Sequence, residues 1–419
     1  MCANQFNSFG LNASFDRKQL EGDSACRPDR TVAGRSDNFA SGGNRLSPER
    51  VFIRSTMLAR ISTLICLVVM FVGGKSPVSA APRSSLDALR DGESLANHGK
   101  LESAIIAFTE AIRLDPGLAA AYRGRGVAYL RGHQSGKAST DFTQAIRLMP
   151  KDATNYANRA DARAEDRDYT GALSDYSEAI SLAPNNPRFR YSRGTVYLAK
   201  SDRARAVTDF TDAIQLKADY AEAYCVRATA YCSQGDRQKG IADYTRAIEL
   251  RHDYAEAYCN RGLAYGTAGP FENAIADLTQ AIRLKPNFAM AYYSRGLVHG
   301  KSGEYDKAID DFTAAIRFDG GYAEAYYSRG LSYANMHQYD KAIANYSEAV
   351  RLKSKYAEAF YGRGFAYEGK GEGDKAKEDF DKAKKLGYGP TSEQEAGLDP
   401  SAKLLPAWRV PPDNSVPPL

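Results

Sequence analysis

The sequence predicts an all-α fold in which helix–turn–helix repeats stack into a solenoid. Residues 85–390 of the 419-residue chain repeat with a period of 34 residues and without insertion or deletion. Apolar residues within each unit recur at steps of three and four, which is the helical period. A short junction that often contains glycine, such as residues 301–304, divides each unit into two helices. Because one unit alone leaves its apolar faces exposed, neighbouring units have to stack.

Nine units, numbered as repeats 1 to 9, fill this stretch. Position 8 is always Gly or Ala, position 27 is always Ala, and position 20 is Ala except in repeat 5, where it is Gly240. Position 11 is Tyr in six repeats, and position 24 is Phe, Tyr or Leu. Small residues allow two helix backbones to approach closely, and the large ones fill the space beside them. The repeats begin at Ser85, Ala119, Ala153, Pro187, Ala221, Ala255, Ala289, Ala323 and Ala357, and the ninth closes at Pro390.

This pattern resembles the tetratricopeptide repeat (TPR), a helix–turn–helix unit of the same length with small residues at positions 8, 20 and 27 and aromatic residues at 4, 11 and 24. The resemblance implies a right-handed superhelical solenoid whose first helices line a concave groove. It also implies a non-catalytic scaffold that holds a peptide or a protein segment in that groove.

The polar residues at positions 7 and 23 depart from the family pattern, which usually has Leu at position 7. Here position 7 is Arg in eight repeats and position 23 is Asp in seven. This spacing predicts a bidentate ion pair between the two helices of a repeat. The alternative is a row of arginines that binds phosphates. The predicted structural pairs include Arg125–Asp141, Arg227–Asp243, Arg261–Asp277 and Arg295–Asp311.

The resemblance also implies that positions 2 and 5 face the groove. Tyr side chains there would anchor a bound peptide, and Glu side chains would favour a basic or uncharged segment. Alternatively, the Tyr residues pack within the array and the Glu residues only keep it soluble. Position 5 is never Lys, which argues against the carboxylate clamp that some relatives use for chaperone tails. The candidate groove residues are Tyr191, Glu222, Cys225, Glu256, Cys259, Met290, Tyr293, Glu324, Tyr327, Glu358 and Tyr361.

The sequence contains no pattern of catalytic or metal-binding residues. The five His residues have no metal-ligand spacing, and no nucleophile motif occurs. We therefore expect no enzymatic activity, no cofactor and no metal. Beyond residue 80 acidic and basic side chains nearly balance, which argues against nucleic-acid binding. Cys225, Cys232 and Cys259 are predicted to be unbonded, with a Cys232–Cys259 disulfide or a soft-metal site as alternatives.

The two ends of the chain have a different composition from the array. Residues 57–80 combine Arg60, an apolar run at 61–74 and a small-residue end at Ala80, which predicts a cleaved signal peptide and an extracytoplasmic location, periplasmic or secreted. The alternative is a membrane anchor at 61–74. Residues 1–56 are interpreted as a non-native or disordered extension. Residues 391–419 form a Pro-rich tail in which Trp408 either docks on the array or faces a partner.

The last repeat carries the sequence of a terminal cap. Positions 21 and 28 are apolar in most repeats but become Lys377 and Lys384 in repeat 9, as expected for a face that meets water. The sequence thus predicts a protein–protein interaction scaffold in a bacterial-type cell envelope. Two alternatives remain: a regulatory subunit of a separately encoded enzyme, and a self-assembling structural protein, against which the polar cap argues.

Overall fold

The computed structural model describes residues 83–269 and 271–389, and within these ranges it contains eighteen α-helices in tandem and no β-strand. The predicted extension, signal peptide and tail, together with Trp408, lie outside the described residues. None of the helices in the described ranges is long and apolar enough to cross a bilayer.

Two helices form each repeat. The helices are α1 Ser85–Asn97, α2 Leu101–Leu114, α3 Ala119–Arg131, α4 Ser135–Leu148, α5 Ala153–Glu165, α6 Tyr169–Leu182, α7 Pro187–Ala199, α8 Arg203–Leu216, α9 Ala221–Ser233, α10 Arg237–Leu250, α11 Ala255–Ala268, α12 Phe271–Leu284, α13 Ala289–Lys301, α14 Tyr305–Phe318, α15 Ala323–Asn335, α16 Tyr339–Leu352, α17 Ala357–Gly369 and α18 Gly373–Lys385.

The stacking of these helices is asymmetric. Every helix packs against the next one along the chain, and every first helix also contacts the first helix of the following repeat. Among the described helices, no two second helices touch. The first helices therefore line the inner side of the curve and the second helices its outer side. The predicted all-α, right-handed superhelical solenoid is confirmed.

Position 8 is small because the side chain at position 24 lies directly against it. A methyl group added to Gly126 would lie 2.7 Å from the ring of Phe142, and one added to Gly296 would lie at the same distance from Phe312. Both rings are fully buried. Such close contact between the two helices of a repeat gives the core its packing density.

The junction between the two helices places a residue of positive φ at the same position of every repeat. Position 15 has a positive φ in all nine, and it is Gly in five of them, including Gly303 at 77°. The other four are His133, Arg167, Ser201 and His337, with φ between 54° and 63°. A left-handed residue at this position ends the first helix. The repeat pattern therefore requires this conformation even where the residue is not glycine.

The last repeat presents a polar outer face. Lys377 and Lys384 on α18 are both exposed, as the cap interpretation requires. By contrast, Ile275 and Ile282, at the same positions in repeat 6, pack against a buried core cluster.

Candidate binding surface

The Arg–Asp pairs form a regular ladder through the array. In seven repeats the Arg Nε and Nη2 atoms each donate a hydrogen bond to one oxygen of the Asp carboxylate, at 2.6–2.9 Å. The carboxylates are almost fully buried, and the hydrogen bond to Asp141 raises the pKa of Arg125. All four predicted pairs, Arg125–Asp141, Arg227–Asp243, Arg261–Asp277 and Arg295–Asp311, have this geometry.

A third contact, not anticipated from the sequence, links consecutive repeats. The Nη1 atom of each ladder arginine donates to a Thr or Ser hydroxyl at position 25 of the preceding repeat, at 3.0–3.2 Å. The constant Thr or Ser at position 25 of repeats 1 to 8 was the sequence signal for it. Because neighbouring side chains occupy these donors, the ladder is a structural element and does not form a row of phosphate sites.

The candidate tyrosines pack against other rings of their own repeat. Tyr293 is only 7% exposed, and its ring centroid lies 5.7 Å from Phe312 and 4.7 Å from Tyr322. Its burial also raises its pKa. Tyr327 lies 5.7 and 5.2 Å from the two corresponding rings of repeat 8. These contacts show that the position-5 rings help to build the core.

Tyr191 and Tyr361 follow the same arrangement. Tyr191 lies 5.1 Å from Tyr220, and Tyr361 lies 5.3 Å from Tyr388. Both tyrosines are only partly buried, so each keeps some surface on the first-helix side.

The two candidate groove cysteines are core residues. The sequence assigns Cys225 and Cys259 to the groove, but both side chains have no exposed surface. The first helices turn them towards neighbouring helices, and burial raises the pKa of each thiol to about 12. The Cys232–Cys259 disulfide is not formed. In the described part of the chain, no cluster of His, Cys, Asp and Glu is suited to hold a metal ion.

Three of the four candidate glutamates are neutralised within their own repeat. Glu222 pairs with Arg251 at 2.8 Å. The same pairing between positions 2 and 31 joins Glu256 to Lys285 at 3.0 Å and Glu324 to Lys353 at 3.1 Å. This surface therefore carries less negative charge than the sequence suggests.

The remaining two candidates at position 2 have no such partner at position 31. Met290 packs partly buried against a core cluster, and Asp319 occupies position 31 of its repeat. In repeat 9, which contains Glu358, position 31 is Gly387. These two repeats interrupt the row of ion pairs.

Repeats 3 and 4 carry a polar cluster that sequence reasoning missed. Asp161, at position 9, accepts a hydrogen bond from the Tyr176 hydroxyl, and its carboxylate lies 3.6 Å from the Arg188 guanidinium. Burial raises the pKa of Asp161. Arg188 remains 53% exposed, and the Lys217 ammonium lies 5.0 Å above the Tyr220 ring. Repeat 4 is the one repeat with cations at both positions 2 and 31, which was the available signal.

The fold and this surface define a class of protein: a solenoid of helical hairpins that presents a continuous row of first helices. Family models described as TPR repeat match residues 228–269 and 337–371, and models described as tetratricopeptide repeat match residues 89–138, 128–187, 259–323 and 357–386. The chain belongs to the tetratricopeptide repeat family. Proteins of this family are protein–protein interaction scaffolds and usually non-catalytic.

Several solved structures are similar to parts of the chain. The crystal structure of MamA protein is 29% identical, covering 42% of this chain and 96% of that one, with a TM-score of 0.38. YrrB, titled a TPR protein with an unusual peptide-binding site, is 23% identical to this chain. The match covers 44% of this chain and 95% of that one, with a TM-score of 0.38. A tetratricopeptide repeat protein from Parabacteroides merdae is 21% identical. That match covers 59% of this chain and 98% of the other, with a TM-score of 0.49. A search of curated proteins found no match.

Proposed function

We propose that this protein is a non-catalytic scaffold, which holds a peptide or a segment of another protein against the surface formed by its first helices. The observation that carries the proposal is the unbroken contact of each first helix with the next, from repeat 1 to repeat 9. An extended segment placed along such a row can contact several repeats at once. Repeat arrays use extended concave surfaces of this kind for binding.

The charges on this surface favour an acidic or uncharged segment over a basic one. The ion pairs of Glu222, Glu256 and Glu324 offset their negative charge. In repeat 4, position 2 is Arg188 and position 31 is Lys217, so this repeat carries two cations where three other repeats carry an ion pair. Opposite charges on two partners steer their encounter and fix the register of binding.

The test compares two doubly substituted chains as bait for partners from the source cell. Charge reversal at Arg188→Glu and Lys217→Glu changes the first-helix surface at repeat 4. The matched control, Arg147→Glu and Arg283→Glu, makes the same change of charge at exposed positions on second helices. We expect the first variant to lose partners that the control retains. Equal recovery by both variants and the natural chain would remove the proposal.

Replacing Tyr293, Tyr327 and Tyr361 by Ala would be a poor test of partner binding to the first-helix surface. These rings contact Phe312, Tyr346 and other buried rings, so their removal opens cavities in the core. Lost binding could then result from lost folding. Arg188 and Lys217 are exposed side chains, so their replacement opens no such cavity.

The proposal places the scaffold outside the cytoplasm, in a bacterial-type cell envelope. The support is the sequence of residues 57–80, with its basic start, apolar run and small-residue end. The experiment is N-terminal sequencing of the protein purified with a C-terminal tag. A mature chain that begins at Ala81 is expected. A chain that still carries residues 57–80 and fractionates with membranes would favour the anchor, and a cytosolic chain would contradict export.

A further inference from the structure

One arginine of the ladder lacks a carboxylate partner. In repeat 8 position 23 is Asn345, and Arg329 donates its Nε–H to the amide oxygen of Asn345 at 2.7 Å. Its Nη1 donates to Thr313 at 3.0 Å, as in the other repeats. The Asn345 amide nitrogen donates to the Lys341 carbonyl at 2.8 Å. Asn345 thus keeps one hydrogen bond of the ladder but brings no negative charge.

The positive charge of Arg329 is therefore not offset inside the array. Among the described residues no acidic side chain forms an ion pair with it, and the Tyr326 ring lies 5.4 Å from its guanidinium carbon. Burial lowers the pKa of Arg329, whereas hydrogen bonds to Asp311 and Asp379 raise the pKa of Arg295 and Arg363. Arg329 is only partly buried, so solvent reaches it.

We propose that Arg329 is a docking point for a carboxylate side chain of a partner protein. The ladder supplies the comparison, because in seven equivalent arginines the Nη2 atom donates to a carboxylate oxygen. In Arg329 the Nε and Nη1 atoms are already used by Asn345 and Thr313, and among the described residues Nη2 has no acceptor, so it is the donor that a partner's carboxylate would meet. The planar guanidinium fork suits the two oxygens of a carboxylate, and the carboxylate is the anion that the equivalent arginines of the ladder hold. Arg329 lies on the first helix α15, but its side chain reaches Thr313 and Asn345 on the second helices α14 and α16. The site is therefore separate from Arg188 and Lys217 of repeat 4 and does not depend on them.

The test uses the full chain with ¹⁵N-labelled arginine and sodium acetate as the probe. Signals of the Nε–H groups are followed by NMR, assigned with Arg329→Lys and Arg295→Lys, and compared with sodium chloride at equal ionic strength. We expect a saturable acetate shift at Arg329 and none at Arg295, which already holds Asp311. Asn345→Asp should abolish the shift at Arg329 and raise the melting temperature.

A reciprocal variant supplies the control. Asp311→Asn copies the chemistry of repeat 8 into repeat 7, and Arg295 should then respond to acetate as Arg329 does. An equal response of Arg295 and Arg329 in the natural chain, or a response to inorganic phosphate but not to acetate, would overturn the proposal. The variant with Arg188→Glu and Lys217→Glu should still show the acetate shift at Arg329. The experiment on Arg329 can therefore fail while the proposed binding surface stands, and the reverse.

Discussion

The guanidinium of Arg227 donates two parallel hydrogen bonds to the carboxylate of Asp243, at 2.7 and 2.9 Å, and a third to the hydroxyl of Thr211 at 3.0 Å. These residues lie on α9, α10 and α8, so one side chain joins three helices and two repeats. Only about an eighth of each charged side chain is exposed. Each charge needs the other for its stabilisation, because water reaches this site too poorly to solvate one charge if its partner is removed.

Replacing Asp243 by Ala should lower the free energy of unfolding by about 3 kcal/mol, because it leaves the largely buried charge of Arg227 without a partner. Guanidinium chloride unfolding followed by circular dichroism measures the change. The control is Asp236→Ala, which removes an exposed partner of Lys239. Exposed pairs contribute little to stability, so the control should lose much less. Equal losses would contradict the structural role of the ladder.

Substitutions between Ser and Gly at position 15 should change the stability of the protein in opposite directions in repeats 4 and 7. Ser201 and Gly303 both have a positive φ, at 61° and 77°. Ser201→Gly should raise the stability and Gly303→Ser should lower it, each by about 1 kcal/mol, because only glycine adopts this conformation without steric cost. Thermal unfolding of the two variants gives the signs. A loss of stability in Ser201→Gly would show that the junction is not strained.

Gly240 departs from the alanine of the other repeats because Cys232 fills its place. A methyl group on Gly240 would lie 2.3 Å from the Cys232 sulfur. Gly240→Ala alone should therefore destabilise the protein by about 1–3 kcal/mol. Adding Cys232→Ala should recover most of that loss, and a double-mutant cycle measures the coupling. Simple additivity of the two changes would contradict the packing explanation.

The array should lose stability in alkali. Folding raises the pKa of Cys225 and Cys259 from 9.0 to about 12 and that of Tyr220 from 10.0 to about 12, in each case chiefly through burial. These groups ionise in the unfolded chain at lower pH than in the folded one. Their contribution is therefore complete below pH 9 and disappears as the pH rises towards 12.

Denaturant unfolding at a series of pH values from 7 to 11 follows this loss. The control is the variant with Cys225→Ala and Cys259→Ala, which lacks the two buried thiols and should lose less stability above pH 9. If the natural chain and the variant lost the same stability across this range, the buried thiols would not be the cause.

The periodic features of the molecule could be predicted from the sequence. The helix pairs, the small residue at position 8 and the Arg–Asp pairing recur many times, so each repeat reinforces the interpretation of the others. A contact between neighbouring repeats was harder to see. The bond from Arg227 to Thr211 spans 16 residues and two repeats. Its sequence signal, the constant Thr or Ser at position 25, gains a meaning only once the first helix α9 packs against the preceding second helix α8.

The binding surface could be predicted only in part. The position of a residue in a helical repeat indicates the direction in which its side chain points. How deeply that side chain is buried depends on the residues around it. Cys225 at position 5 is fully buried, whereas Arg123 at the same position keeps 38% of its side chain exposed. Asp161 and Tyr176 belong to repeat 3 and meet Arg188 of repeat 4 only through stacking, so the pattern within one repeat shows only part of this cluster.

Hydrogen exchange, measured for the chain with and without a partner captured by it, tests the central claim most directly. We expect the partner to slow exchange along the first helices of consecutive repeats, including α7 and α9 beside Arg188. Slower exchange confined to the second helices, with α1, α3, α5, α7 and the other first helices unchanged, would contradict a scaffold that binds on its inner surface.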